Sequence, residues 1–445
     1  MGFCPEHFQT FDLPGQRSCL VPIQRRQSSF LPPPVPPATS QEMAEMSSLP
    51  VTDDLLAEIF LLLPTPADLV RASAACVAFR RLVTDRPFLR RFRSLHARPF
   101  LGFLNHKGFH PARPPHTSAP AASAVSLAAD FSFSFLPSHD SWIVRDVRDG
   151  RVLLDRTPED VAGEESPVFT DLAVCDPLHR RCVQLPPIPD DLAVSVEHPL
   201  RVEFERWCEP FLAPPGEEAT EETSFRVIWM AQCKTKLVAF VFSSSTGEWR
   251  AVASQSWGDL LVGTGVSTAS SKSPVFFGRQ YACGCFYWVM DWRQKLLMLD
   301  TQMMEFSIAD LPPGYRRPPI AIVDAGEGRP GMFAVRENDA VGTFDLYYTI
   351  RRNEGQSFNQ WQMEKTIPLE SGYRYYLRGA TERYLLLLRS EDDSASSSSL
   401  EMSGTECFSL DVKTLQLESI CRLKHHILRA HIYTNFPPSL SSQTI

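Results

Sequence analysis

The 445-residue chain has no apolar run long enough to cross a membrane. Its longest candidate, LLAEIFLLLP from Leu55, is broken by Glu58 and falls well short of the roughly 20 residues that a spanning helix needs. There is no basic stripe interleaved with aromatics, and 44 Lys and Arg stand against 52 Asp and Glu for a net charge of −8, which excludes a binder of the nucleic-acid backbone. The eleven cysteines are odd in number and follow no framework spacing; no apolar leader follows Met1 and no Asn-x-Ser/Thr acceptor occurs. Together these absences predict a reducing, intracellular location, with nucleus and cytoplasm undivided. No phosphate-cradling glycine loop, nucleophile elbow or pair of CxxC motifs is present, so no catalytic, cofactor-binding or metal residue is assigned, no cofactor is expected, and the chain is expected not to be an enzyme.

What is there is concentrated in Leu49 to Phe92. Thr52 is placed to cap a helix that carries Asp53 and Asp54 in its first turn; Leu55, Leu56, Ile59, Phe60 and Leu63 form an apolar stripe, and Pro64 stops it. Thr65, Pro66 and Asp68 open a second helix with Leu69, Val70, Ala72, Ser73 and Cys76 on its packing face. A third segment, Ala78 to Val83, turns Phe79 and Leu82 inward and ends before Asp85 and Pro87. Three helices in so few residues bury too small a core for comfortable stability, so the exposed stripe predicts a covering partner.

The matched positions Leu49-Pro50, Leu55-Leu56, Glu58-Ile59, Leu63-Pro64, Asp68-Leu69, Ala75-Cys76, Phe79-Arg80, Leu82-Val83 and Pro87-Phe88 resemble the F-box. Phe79 stands where that family most often has tryptophan and Ala75 where valine is usual. The resemblance implies binding to a Skp-family adaptor and, through it, to cullin and RING subunits of an SCF ubiquitin ligase. It places Leu49, Pro50, Leu56, Ile59, Phe60, Leu63, Leu69, Cys76 and Phe79 at the adaptor interface.

Before Ser47 the composition is Pro, Gln and Ser, with FLPPPVPP at Phe30 to Pro37, and reads as a disordered extension or, alternatively, a polyproline II ligand. The arginine-rich run Arg90 to Arg98 reads as a solvated helix end or as a contact for an acidic partner. From Pro99 short β-branched and aromatic runs, FSFSF at Phe131 among them, alternate with turn formers and predict an all-β region. Four hairpins in it share one register. CDPLHRRC, FSSSTGEW, LDTQMMEF and LDVKTLQL place a turn former, Asp176, Ser243, Asp300 or Asp411, six positions before Cys182, Trp249, Phe306 or Leu417. The widest gap, between Asp300 and Asp411, predicts a degenerate unit near Arg352 to Trp361, and EPFLAPPGEEATEET reads as an acidic loop lengthening the first gap.

A sheet unit recurring about every 50 residues is a propeller signature, here of roughly six blades. Ile427 to Tyr433 is expected to close the ring against Phe100 to Leu104. The Leu-Pro steps at Leu185 and Leu311, with GCFYWVMDW before LLMLDT, resemble the kelch-like propellers of plant F-box proteins. The expected organisation is a disordered extension at 1–46, a three-helix F-box at 47–93, a connector at 94–98, a propeller at 99–438 and a tail at 439–445. Its expected role is that of a non-catalytic substrate receptor holding a protein target for ubiquitination, with no nucleic-acid or membrane partner. The alternatives are an F-box scaffold or inhibitor acting without proteolysis, and a propeller enzyme or carbohydrate-binding module. Cys283 and Cys285 read as same-face residues of one strand, His425 and His426 as satisfied histidines, and Ser390 to Gly404 as a loop or a phosphate acceptor. Trp207 and Tyr315 are candidates for a binding surface.

Overall fold

A computed structural model describes residues 52–63, 66–96, 98–138, 141–156, 167–202, 205–206, 208–214, 224–264, 276–290, 294–312, 315, 320–338, 342–354, 357–391, 404–425 and 427–434. The chain divides into two compact units, Met1–His96 and Ala97–Ile445.

The first unit contains four described helices: α1 (Asp53–Leu61), α2 (Pro66–Ser73), α3 (Val77–Val83) and α4 (Arg86–Leu95). Thr52 Oγ1 caps α1 by accepting from Leu55 N at 3.4 Å. The three-helix expectation is corrected by α4. Pro87 looked like a boundary, yet a proline is tolerated in a first turn, where its missing amide would have had no partner, and Asp85 caps that turn by accepting from Phe88 N at 3.4 Å. Most of the arginine run is therefore helix. The apolar residues of α1 divide: Phe60 and Leu61 enter a core with Leu69, Val83, Phe88 and Phe92, whereas Leu55 and Ile59 are 51% and 46% exposed.

The second unit is a six-bladed β-propeller. Five blades are four-stranded antiparallel sheets. Blade one comprises Trp142–Arg148, Arg151–Arg156, Leu172–Asp176 and Arg181–Gln184; blade two Cys208–Ala213, Arg226–Gln232, Lys236–Ser243 and Glu248–Ser256. Blade three comprises Phe276–Ala282, Cys285–Met290, Lys295–Asp300 and Phe306–Asp310; blade four Ile320–Asp324, Pro330–Asn338, Thr343–Glu354 and Ser357–Pro368. Blade five comprises Tyr373–Ala380, Tyr384–Glu391, Thr405–Asp411 and Leu417–Leu423. Blade six is built from both ends of the unit: His431–Thr434 lies innermost and pairs antiparallel with Phe100–Asn105, which pairs with Gly108–Pro111. The closure expected from the sequence is present.

The ring is held by six separate cores, one in each gap between neighbouring blades. Strand periodicity explains how one strand serves two of them: Phe211 faces blade three while its neighbour Leu212 faces blade one. Fully buried polar groups add direction. Gln232 of blade two, 2% exposed, donates to Phe276 O at 2.9 Å and accepts from Phe276 N at 3.0 Å, clamping the first strand of blade three. Gln280 of blade three donates in turn to Ile320 O of blade four at 2.6 Å.

The hairpin repeat joins the third and fourth strands of its blades. Asp176, Asp300 and Asp411 each accept from two backbone amides of the turn, and the residue before each turn former pairs with the apolar residue of the motif, as in Leu299 with Phe306 and Leu410 with Leu417. The degenerate unit provides the long third and fourth strands of blade four; its turn at 355–356 lies outside the described residues.

Other expectations are corrected. Phe131 to Phe135 is a series of turns, because the Asp130 carboxylate accepts from Ser132 N at 3.1 Å and from Ser132 and Ser134 hydroxyls at 2.6 and 2.5 Å, coiling the chain around itself. The all-β region also contains a helix, Ala119–Ala128, whose Ala122 and Val125 bury against blade six. Cys283 is in no strand: with Gly284 it makes a two-residue turn with φ of 50° and 78°. Of the acidic loop, Glu209 to Ala213 is the first strand of blade two, and 215–223 lie outside the described residues.

Candidate functional site in the propeller channel

The first strand of each blade lines the channel, and the strands' facing side chains enclose a cavity of about 680 Å³. Five arginines (Arg145, Arg156, Arg279, Arg378 and Arg429) and three carboxylates (Asp146, Asp155 and Glu209) line it, together with His431. A chain that is acidic as a whole therefore carries a cationic cavity.

Its centre is Arg279 of blade three, 12% exposed, which bonds Asp146 Oδ1 of blade one at 3.1 Å and Glu209 Oε2 of blade two at 2.9 Å. The remaining oxygens are also engaged. Asp146 Oδ2 accepts from Leu212 N at 2.9 Å, and Glu209 Oε1 accepts from Trp288 Nε1. The guanidinium of Arg279 also lies 4.5 Å from the Phe211 ring centre, where the aromatic face favours a cation. Arg145 Nε donates to the buried Asp155 at 2.7 Å. This lattice uses the carboxylates as anchors for arginine; Asp155 keeps one buried oxygen, Oδ1, without a hydrogen-bond partner among the described residues.

Two groups are differently placed. Burial lowers His431, at the innermost strand of blade six, to about 4, with Arg279, Arg429 and Arg145 reinforcing the effect against Asp146, so its imidazole is neutral at physiological pH. Arg378 of blade five lies 4.9 Å over the Tyr376 ring; its Nε is shielded from solvent and has no hydrogen-bond partner among the described residues. Burial pulls its pKa down from the ordinary arginine value, yet it remains a cation at any physiological pH. Beyond the cavity, at the end of the same strand as Asp146, Arg148 donates to Leu212 O at 3.1 Å and lies 4.1 Å over Tyr281.

The residues singled out in the sequence are elsewhere. Leu49, Pro50 and Trp207 are outside the described residues. Phe60 and Leu69 are core residues of the first unit, Leu56, Leu63 and Phe79 are half-buried, with Phe79 edge-on to Phe60 at 5.0 Å, and Ile59 is exposed. Cys76 is corrected from the packing face of a helix to an exposed cap of α3, its sulfur accepting from Phe79 N at 3.4 Å. Tyr315 is corrected from a surface candidate to a buried ring, 6% exposed, beneath Arg336 at 3.8 Å. Most of Ser390 to Gly404, and His426, lie outside the described residues.

No protein-family model matches the chain, and no curated protein matches it. Solved structures do, those named here at low identity. A putative 6-phosphogluconolactonase from Bacteroides fragilis is 10% identical, with 63% of this chain and 70% of that chain covered and a TM-score of 0.32. The GH93 α-L-arabinofuranosidase of Fusarium graminearum is 10% identical, with 66% and 83% covered and a TM-score of 0.31. The α-L-arabinanase of Penicillium chrysogenum is 9% identical, with 65% and 95% covered and a TM-score of 0.28. Likeness at this level assigns no activity to the chain. The reading as a non-catalytic ligase receptor is nevertheless withdrawn: no comparison identifies an F-box or a ubiquitin-ligase subunit, and the structures named here carry the names of enzymes. The channel brings together charged residues that are scattered along the sequence: Asp146, Glu209, Arg279, Arg378 and His431, from five blades, meet only because the ring closes.

Among the described residues, no helix is long and apolar enough to cross a membrane, and no group of three or more His, Cys, Asp or Glu is arranged to hold a metal ion.

Proposed function

We propose that the second unit is a ligand-binding propeller, of the enzyme or carbohydrate-binding kind, whose central cavity takes a small organic anion about the size of a sugar acid. The observation that carries this reading is Arg378. A shielded guanidinium nitrogen without a partner costs free energy that a bound carboxylate or phosphate would recover, because a fork of N–H donors matches the oxygens of such an anion. The excess of arginine over carboxylate on the cavity wall supports the same sign of ligand, and the neutral His431 adds a donor and an acceptor without adding charge. A cavity of about 680 Å³ is within the range used for small molecules. Thermal-shift measurements with glucuronate, gluconate and citrate against glucose as the neutral control test the proposal: stabilisation by the anions alone supports it. Equal response to glucose, or none to any anion, contradicts it.

A further inference from the structure

Four of the cysteines face one another in two pairs. In blade one Cys175 and Cys182 are direct partners across the third and fourth strands, and in blade five Cys407 and Cys421 are direct partners across the same two strands. Directly opposed residues of an antiparallel pair have Cα atoms about 4.5–5.5 Å apart, within the span that a disulfide bridges without backbone movement. Each pair is asymmetric: Cys175 and Cys407 are fully buried, while Cys182 and Cys421 are half-buried and reachable from outside.

We propose that these two pairs are oxidation sites, each forming an intramolecular cross-strand disulfide by exchange with a small-molecule disulfide such as oxidised glutathione. In blade one the Cys182 thiolate attacks one sulfur of the oxidant, whose S–S bond breaks and expels the first glutathione as thiolate, which takes up a proton. The buried Cys175 then gives up its proton, attacks the Cys182 sulfur and expels the second glutathione. Two protein thiols are oxidised and one oxidant disulfide is reduced to two thiols. The Cys421–Cys407 pair follows the same course.

The order of attack follows from the pairs themselves. The Cys175 thiol hydrogen-bonds Cys182, holding the outer sulfur down to about 7, while burial pushes the inner one up, so the accessible partner is the thiolate. Cys421 is lowered in the same way by Cys407, with the positive charge of Arg113 helping. Other described cysteines lack this arrangement: Cys208 is opposite Ala231, Cys233 opposite Pro199, and Cys285 opposite Asp300.

The test treats the folded full-length protein with oxidised glutathione, blocks remaining thiols with N-ethylmaleimide and maps peptides by mass spectrometry. The expected result is two bonds, Cys175–Cys182 and Cys407–Cys421, with Cys208, Cys233 and Cys285 still alkylated. Cys182→Ser removes the first bond and leaves the second, and Cys421→Ser does the reverse. Absence of both bonds, bonds mapped to other cysteines, or oxidation that stops at a stable glutathione adduct on Cys182 would overturn the proposal.

Discussion

Arg279→Met removes the charge at the centre of the channel while retaining most of the side chain's length and apolar contact with Phe211. Two carboxylates, Asp146 at 3.1 Å and Glu209 at 2.9 Å, then lose their cation together. Breaking a buried ion pair by removing one partner costs about 3–5 kcal/mol, because the survivor is left charged and unpaired. Glu209 keeps 35% of its side chain in solvent, which screens part of that penalty, so about 3 kcal/mol is the expected loss. Urea unfolding followed by tryptophan fluorescence measures it. The decisive comparison is the triple variant Arg279→Met, Asp146→Asn, Glu209→Gln, in which no charge remains to be stranded. Replacing all members of a buried charged group together is often close to neutral, so the triple variant should regain most of the loss. A single variant within about 0.5 kcal/mol of wild type, or a triple variant no more stable than the single one, would refute the reasoning that the arginine braces three blades.

Other perturbations separate core from surface and folded from unfolded protonation. Phe60→Ala should cost about 3–5 kcal/mol, enough to melt the first unit, whereas Ile59→Ala, at a position 46% exposed, should cost less than about 1 kcal/mol; far-ultraviolet circular dichroism and limited proteolysis of 52–96 distinguish them. Gly102 has φ of 149°, and an added Cβ would meet the His110 carbonyl oxygen and the Phe109 ring, so Gly102→Ala should cost about 3 kcal/mol or more and speed hydrogen exchange in 431–434. At Gly284, with φ of 78° and open space around it, the same change should cost only about 1–2 kcal/mol. His431 titrates near 4 when folded against 6.5 in the unfolded chain, so the unfolded chain binds the proton first and stability falls as pH drops through that window. His431 is half-buried where it lines the cavity, so its share between pH 7 and 5 is about 1–2 kcal/mol, and His431→Gln should flatten the profile by that amount.

The propeller was legible because its repeat is local. A turn former with an apolar residue six positions later needs no distant partner to be recognised, and Asp176, Ser243, Asp300 and Asp411 each mark a third-to-fourth strand hairpin. Ring closure by Ile427 to Tyr433 was legible for a related reason, since a strand left over at each end has to pair. The cavity was not. Glu209 belongs to a strand that runs into an acidic stretch, and its charge made the whole segment look like a loop. Arg279, Arg378 and His431 each look like a surface residue within its own strand, because only the ring turns those faces toward a common axis. Anchoring the repeat on the first strand of each blade, and asking which of those strands carries charge among apolar neighbours, was the available signal. In the first unit Pro87 hid α4, because a proline that starts a helix and one that ends it are the same letter.

Isothermal titration of glucuronate into the full-length wild type and into Arg378→Met, with glucose as the neutral control, bears most directly on the cationic cavity. The account predicts one site per chain, no response to glucose, and at least about a tenfold weaker affinity in the variant, the loss of one charge-assisted hydrogen bond of about 1.5–3 kcal/mol. Equal affinity in wild type and variant, or binding of glucose as tight as that of glucuronate, would contradict it.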